Sequence, residues 1–243
     1  SLARAPESVE RVRTLRSRYA TGVRKLGVSV DRIDYTKGIP ERLRALDLLW
    51  TQKPELKGRF TFLCVATPSR SDLDAYSSLE EEIVQSVLEI NQRHGSAEWQ
   101  PIVFIHSNVD TELLASVYRA ADLCLVSSLQ DGMNLVAKEF VACQLDERGV
   151  LVLSRFTGAA EQIEGAVLIN PFNVDGFVDG ISRALDMSPD ERRLRMRRMR
   201  GQLRRATIFT WLDQIMSRVH ALMAPRRLTP TTAQAALPAP ADS

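Results

Sequence analysis

Cysteine is scarce in this chain, and Cys64, Cys124 and Cys143 all sit in apolar stretches without metal-site spacing. They read as buried thiols of a reducing compartment, not as a disulfide scaffold. Histidines at 94, 106 and 220 are scattered, so they add no metal cluster. Aromatic residues are only 6% of the chain, and none interleaves the arginine-rich run 192–205. A base-stacking nucleic-acid surface therefore has no platform there. No apolar run approaches the roughly 18 residues that a membrane span needs. No apolar core segment follows Ser1 to Pro6, so no secretory leader is read there and a cytoplasmic location is expected. A surplus of one charge is missing too: 32 Lys and Arg against 30 Asp and Glu leave a net charge of +2. That is too little to drive binding to nucleic acid or to an anionic membrane.

What remains is globular in composition, with 44% hydrophobic and 26% charged residues over 243 positions. Such a chain supports one α/β domain with ample core, or two small ones. Apolar runs alternate with helical patterns. Strands are expected at 26–31, 59–66, 102–107, 122–128, 150–154 and 166–170. Helices are expected at 7–20, 39–51, 72–93, 110–120, 133–145, 157–164 and 174–187. This alternation predicts a Rossmann-like parallel sheet with helices on both faces. The run Phe60 to Ala66 is apolar throughout, as expected of a strand covered on both sides.

Ser188 and Pro189 open a further helix, with Glu191 at the capping-box position. Leu194, Met196, Met199 and Leu203 supply a partial apolar seam, and its arginines, from Arg192 to Arg205, are expected to cover solvent. A last helix follows over 207–222, apolar at Phe209, Trp211, Leu212, Ile215, Val219 and Leu222. The domain is expected to span 1–225. Residues 226–243, rich in Pro, Ala and Thr, are expected to be a disordered tail.

Two stretches carry chemistry. The apolar run Asp122 to Leu129 leads straight into Asp131-Gly132-Met133-Asn134 and then Leu135 to Ala142. A strand ends, a glycine-containing turn follows, and a helix begins with its backbone N–H groups facing out of the carboxyl edge of a sheet. Such a start attracts phosphates and hydroxyl-rich ligands. Asp131 at the turn and Glu139 in the helix can each accept hydrogen bonds from sugar hydroxyls. The same pattern also suits a plain capped helix with Asp131 as a turn residue. The second stretch is a strand centred on Val28 and Val30, which delivers Arg32 and Lys37 into the loop after it. Two cations at a strand's carboxyl end suit a diphosphate and a leaving group that gains charge. Alternatively, Arg32 pairs with Asp31 or Asp34 and Lys37 is solvated.

Together, Val30 to Arg42, Ala66 to Arg70 and Asp131 to Ala142 closely resemble the trehalose-6-phosphate synthase family, which are retaining glycosyltransferases of the two-Rossmann-domain (GT-B) type. The resemblance runs from about residue 24 to about 222 and covers the second half of the family's catalytic unit, the C-terminal domain. It implies glucosyl transfer from UDP-glucose, or a GDP or ADP counterpart, to glucose 6-phosphate. Arg32 and Lys37 match the cations that hold the nucleotide diphosphate and would stand in for a metal, so neither metal nor other cofactor is expected. Glu139 matches the carboxylate on the ribose hydroxyls, and Asp131 the one on donor glucose. The amides of Gly132, Met133, Asn134, Leu135 and Val136 would hold sugar hydroxyls and phosphate oxygens. Asn108 and Val109 would lie near the base. Arg70 matches an arginine that reaches the acceptor's phosphate, although its Pro-Ser-Arg-Ser setting also suits a surface turn.

The resemblance has departures. The family usually has Pro-Leu-Arg where this chain has Ser128-Leu129-Gln130, and often Ser-Glu-Phe where it has Ser154-Arg155-Phe156. Both bear on donor preference and acceptor more than on reaction class. The glycine-rich donor loop, most acceptor contacts and a histidine near the reacting centre belong to the family's first domain, which residues 1–23 cannot replace. The expected partners are therefore UDP-glucose, glucose 6-phosphate and that first domain, with self-association through the last helix where it goes uncovered. Neither nucleic acid nor membrane is an expected partner. Three other readings stand beside this one: a related synthase with another acceptor such as glycerol 3-phosphate, a non-catalytic nucleotide-sugar-binding module, and a basic interaction protein.

Overall fold

The structure, a computed structural model, describes residues 3, 6–21, 24–68, 74–206 and 208–223. Arg70 and the predicted tail lie outside the described residues, as does the side chain of Trp211. The chain divides into two compact units, Ser1–Arg205 and Ala206–Ser243.

In the first unit six parallel strands form one sheet: β1 (Lys25–Arg32), β2 (Phe60–Thr67), β3 (Ile102–Ile105), β4 (Leu123–Val126), β5 (Val150–Ser154) and β6 (Val167–Ile169). Their order across the sheet is β3-β2-β1-β4-β5-β6. Helix α1 (Pro6–Tyr19) precedes the sheet. Each crossover carries one of α2 (Ile39–Gln52), α3 (Asp74–His94), α4 (Thr111–Ala120), α5 (Leu135–Cys143) and α6 (Gly158–Gln162), and α7 (Val174–Asp186) and α8 (Pro189–Arg205) follow. The predicted Rossmann-like sheet with helices on both faces is what the chain builds.

Successive side chains of a strand point to opposite faces, and the sequence fills both. On one face Phe60, Phe62, Leu123, Leu125, Val150 and Val152 pack with α2, α3 and α7. On the other, Leu26, Val28, Leu63, Val65, Cys124 and Val126 pack with α1, α4, α5 and α8. Gly27 breaks the apolar series of β1 because a Cβ there would stand 2.7 Å from Phe62 Cδ2 and 2.8 Å from Phe60 Cζ. Asp122 anchors the amino edge, accepting from the Leu26 amide at 3.0 Å and from Arg16 of α1 at 3.0 Å.

Several expectations need correcting. Helix α5 runs from Leu135 to Cys143 rather than over 133–145, because Asn134 adopts φ 71° and ψ 91° and caps the helix instead of entering it. Strands β3 and β4 stop at Ile105 and Val126, short of 107 and 128. Arg192 does not cover solvent. It is buried, and its guanidinium donates to the carbonyls of Ala184, Leu185 and Met187, each at 2.9 Å, ending the α7 carbonyl series. Leu194 leaves the predicted seam and is exposed, whereas Met196 and Met199 are buried. Cys143 is only partly buried. The second unit contains α9 (Ile208–Met223), with Leu212, Ile215, Met216, Val219 and Leu222 exposed. No helix among the described residues is long and apolar enough to cross a membrane.

Candidate functional site

The strand order reverses between β1 and β4, and the loops that leave their carboxyl ends diverge there. In open parallel sheets this is where ligands bind. The loop after β1 carries Arg32 and Lys37, and the loop after β4 carries Asp131. The structure brings Lys37 and Asp131 into contact, Nζ to Oδ2, at 2.8 Å. Both side chains are four-fifths or more buried, at 19% and 15% exposure.

Local sequence explains the first loop. Asp34 accepts from the amide of Thr36 at 2.9 Å and from its hydroxyl at 2.7 Å, which winds Tyr35–Lys37 into a single 3-10 turn. Gly38 ends that turn at φ 61°. A Cβ at Gly38 would overlap the carbonyl oxygen of Ser127, so glycine serves both the left-handed backbone and the close approach of the two loops. Leu129 donates its amide to the Thr36 carbonyl at 2.7 Å, a second tie between them. Arg32 is exposed and reaches Asp34 at 3.3 Å. Burial works to raise the Asp34 carboxyl, but the two Thr36 bonds, Arg32 and Lys37 outweigh it and hold it below the ordinary range.

The second loop is built around Asp131. Its Oδ1 accepts from the amides of Met133 at 3.2 Å and Asn134 at 3.1 Å, and its Oδ2 accepts from Asn134 Nδ2 at 3.2 Å. Desolvation would raise this carboxyl. The Lys37 ammonium, the Met133 amide and Asn134 overcome that, and the group lies below its ordinary value. Asn134 Oδ1 accepts from the Ala137 amide at 2.9 Å as the cap of α5. Of the five amides the sequence singles out, those of Met133 and Asn134 are thus engaged by Asp131 itself. The amides of Leu135 and Val136 belong to the first turn of α5, where no intrahelical carbonyl can reach them. Gly132 is exposed with open space at its Cα.

Glu139 lies on the exposed part of α5 and accepts from the Tyr118 hydroxyl at 3.2 Å. Asn108 is exposed and Val109 half-buried in the loop after β3. His106 nearby pairs with Glu80 at 3.3 Å. Around the same edge Tyr35, Met133, Leu135, Phe156 and Phe172 leave large apolar surface exposed, with the two Phe rings 5.7 Å apart. Among the described residues no group of three or more His, Cys, Asp and Glu could hold a metal ion.

Sequence reasoning missed what lies under the loops. Arg42 of α2 is fully buried. It donates to Asp31 Oδ2 at 2.6 Å and, through Nε and Nη2, to the Ser127 hydroxyl at 3.0 and 2.8 Å. Ser127 shares its own proton between the carbonyls of Lys37, 3.0 Å away, and Gly38, 2.8 Å away. Burial pushes the Asp31 carboxyl above its ordinary value, and Arg42 opposes the push. A signal existed: Arg42 falls on the α2 stripe of Ile39, Leu43, Leu46 and Leu49, where an arginine needs a buried partner.

A doubly wound sheet in this order, with charged and hydrogen-bonding side chains gathered at its switch point, defines a Rossmann-like α/β domain. Its family follows from relatives. The sequence pattern of glycosyltransferase family 20 matches residues 1–221, and the chain belongs to that family. It is 39% identical over 217 residues to the UDP-forming alpha,alpha-trehalose-phosphate synthase of Botryotinia fuckeliana, covering 89% of this chain and 41% of that protein. The crystal structure of the Burkholderia xenovorans alpha,alpha-trehalose-phosphate synthase (UDP-forming) in complex with glucose-6-phosphate superposes with a TM-score of 0.83 at 41% identity, over 89% of this chain and 47% of that one. The Escherichia coli trehalose-6-phosphate protein bound with UDP-2-fluoro glucose superposes with a TM-score of 0.81 at 33% identity, over 90% and 48%. This chain therefore spans less than half the length of each of these proteins.

Proposed function

We propose that this chain is the donor-binding half of a cytoplasmic enzyme that moves glucose from UDP-glucose to glucose 6-phosphate, with retention, yielding trehalose 6-phosphate and UDP. The observation that carries this reading is the Lys37–Asp131 contact at the switch point, 2.8 Å long. It supports the reading because a cation suited to a diphosphate and a carboxylate suited to sugar hydroxyls adjoin there. The Burkholderia xenovorans relative in complex with glucose-6-phosphate and the Escherichia coli relative bound with UDP-2-fluoro glucose support the same substrates.

In this reading Lys37 and Arg32 hold the diphosphate, the first-turn amides of Leu135 and Val136 face its oxygens, and Glu139 takes the ribose diol. Asp131 accepts from glucose hydroxyls, with Asn134 aligning it. Arg70 reaches the acceptor's phosphate, and the loop at Asn108 and Val109 lies beside the base. The acceptor hydroxyl bonds to the glucose anomeric carbon on the face from which the carbon–oxygen bond to UDP breaks. Its proton passes to the departing phosphate oxygen, and Lys37 and Arg32 stabilise the charge that remains on UDP. A partner domain opposite this edge would supply the other wall and exclude water. The exposed ring of Tyr35, Met133, Leu135, Phe156 and Phe172 suits such a wall. Gln130 and Arg155 are where nucleotide or acceptor preference would depart from the family's common pattern.

Calorimetric titration of the chain with UDP and UDP-glucose, with and without EDTA, tests the binding half. Binding unchanged by EDTA is expected; an absolute Mg²⁺ requirement would refute the role given to Lys37 and Arg32. For the reaction, product is assayed with UDP-glucose and glucose 6-phosphate, using the chain alone and then mixed with a family first domain. We expect trehalose 6-phosphate only from the mixture. Turnover by the chain alone, abolished by Asp131→Ala, would move the catalytic machinery entirely into this chain.

A further inference from the structure

The buried ion pair under the site has no evident reason in stability. Replacing a buried Arg–Asp pair by apolar residues of similar size is often neutral or stabilising, because desolvation offsets the attraction. Here the cost is higher still, since Arg42 Nη1 is buried with no hydrogen-bond partner. What the network does have is an address. Asp31 is the penultimate residue of β1, Ser127 follows β4, and both point to the α2 face, where Arg42 joins them. Ser127 then contacts the main-chain carbonyls of Lys37 and Gly38. Three levels stack at one place: the Asp31–Arg42–Ser127 network below, the Gly38 approach to the Ser127 backbone in the middle, and the Lys37–Asp131 contact above.

We propose that Asp31, Arg42 and Ser127 are positioning residues, which fix the Lys37 backbone against the loop of Asp131 so that the ammonium meets the phosphates of a nucleotide. They touch no ligand themselves. The inference rests on the nucleotide-sugar reading above and deepens it. The fork of Arg42 matters as well as its charge, because a guanidinium reaches Asp31 and Ser127 together and an ammonium does not. The network therefore acts on phosphate binding through Lys37 and not on the nucleoside.

The test uses the whole chain, with UDP and uridine as probes. Ser127→Ala keeps the ion pair and removes the hydroxyl's bonds to the Lys37 and Gly38 carbonyls, leaving only the Arg42 amide on Gly38 O at 3.1 Å and Arg42 Nη2 on Lys37 O at 3.4 Å. Arg42→Lys keeps the buried charge and removes the fork, and either variant serves if the other folds poorly. Each is made alone and with Lys37→Ala, and Kd is measured for both ligands, with circular dichroism to show that the fold is retained. We expect Ser127→Ala and Arg42→Lys each to weaken UDP on the order of tenfold and uridine less than about twofold, with no further loss in the Lys37→Ala background. Equal losses for UDP and uridine, or an undiminished loss when Lys37 is already absent, would make the network merely structural and overturn the proposal. If Lys37→Ala loses the phosphate preference and the two variants do not, the positioning role fails and the nucleotide site stands. If the unaltered chain binds UDP no better than uridine, the site reading fails, and this inference with it.

Discussion

Lys37→Ala gives the sharpest measurement of the site. The Lys37 ammonium lies 2.8 Å from Asp131 Oδ2, with four-fifths of its side chain out of solvent. Removing it deletes one charge-assisted hydrogen bond to a bound phosphate, which contributes about 1.5–3 kcal/mol, or roughly 10- to 150-fold in Kd. Two features pull toward the lower end. Lys37 must give up part of its contact with Asp131 to meet a phosphate. Asp131 also keeps three other donors, the Met133 amide, the Asn134 amide and Asn134 Nδ2, so the loop stays held when the ammonium goes. We therefore expect UDP to weaken about 10- to 30-fold, within the range for such a bond, and uridine not to change. Isothermal titration of both ligands at fixed, low salt measures it, since exposed charge interactions are screened. Equal losses for the two ligands would show that Lys37 supports the loop and does not read the phosphate.

Other outcomes follow from the same geometry. Gly38→Ala places a Cβ at φ 61° against the Ser127 carbonyl; the backbone strain alone costs on the order of 1–3 kcal/mol, and urea unfolding should show at least that. Asp131 and Asp34 both have folded pKa values below the ordinary 3.8. Their contribution is present above that value and lost as pH falls through the lower folded values. Asp131→Asn should flatten the acid limb of a plot of urea midpoint against pH, and an unchanged limb would contradict the assigned depression. Arg192→Met leaves the Ala184, Leu185 and Met187 carbonyls without their buried donor; an unfolding loss of about 1–3 kcal/mol is expected, with UDP affinity unchanged.

The sheet was legible because its strands are apolar on both faces, and period and length separate such runs from helices. Strand β5 falls at 150–154 as read. The ends of β3 and β4 were not legible, because His106-Ser107 and Ser127-Ser128 hold no glycine or proline to mark where the ladder stops. The start of α5 was hidden for another reason: Asn134 takes a left-handed φ that no periodicity announces. Of the site, Arg32, Lys37 and Asp131 stand out in sequence because charge at a strand's end is conspicuous, and Glu139 because it lies on the helix that follows the Asp131 turn. The Lys37–Asp131 contact and the Arg42 network are 94 and 85 residues apart in the chain at their long-range links. Side-chain pairing across such separations depends on which strands adjoin, and that is decided by the whole fold. Arg70 lies outside the described residues, so its place relative to the others rests on the motif alone.

The main chain at Asp131 has a consequence for experiment. Beyond the last paired residues of β4 and β5, Asp131 and Thr157 form one more parallel bridge. The Asp131 amide donates to Phe156 O at 3.1 Å, and its carbonyl accepts from the Gly158 amide at 2.9 Å. The residue is thus stapled to the sheet by its backbone, independently of its carboxylate. Side-chain exchange at 131 edits the chemistry of this edge and leaves its scaffold standing. Gly158 is the opposite kind of position: any Cβ there runs into the Gly132 carbonyl, so bulk added in the neighbouring crossover would shift the whole turn while leaving every charged group intact. One position separates charge from shape, and the other separates shape from charge.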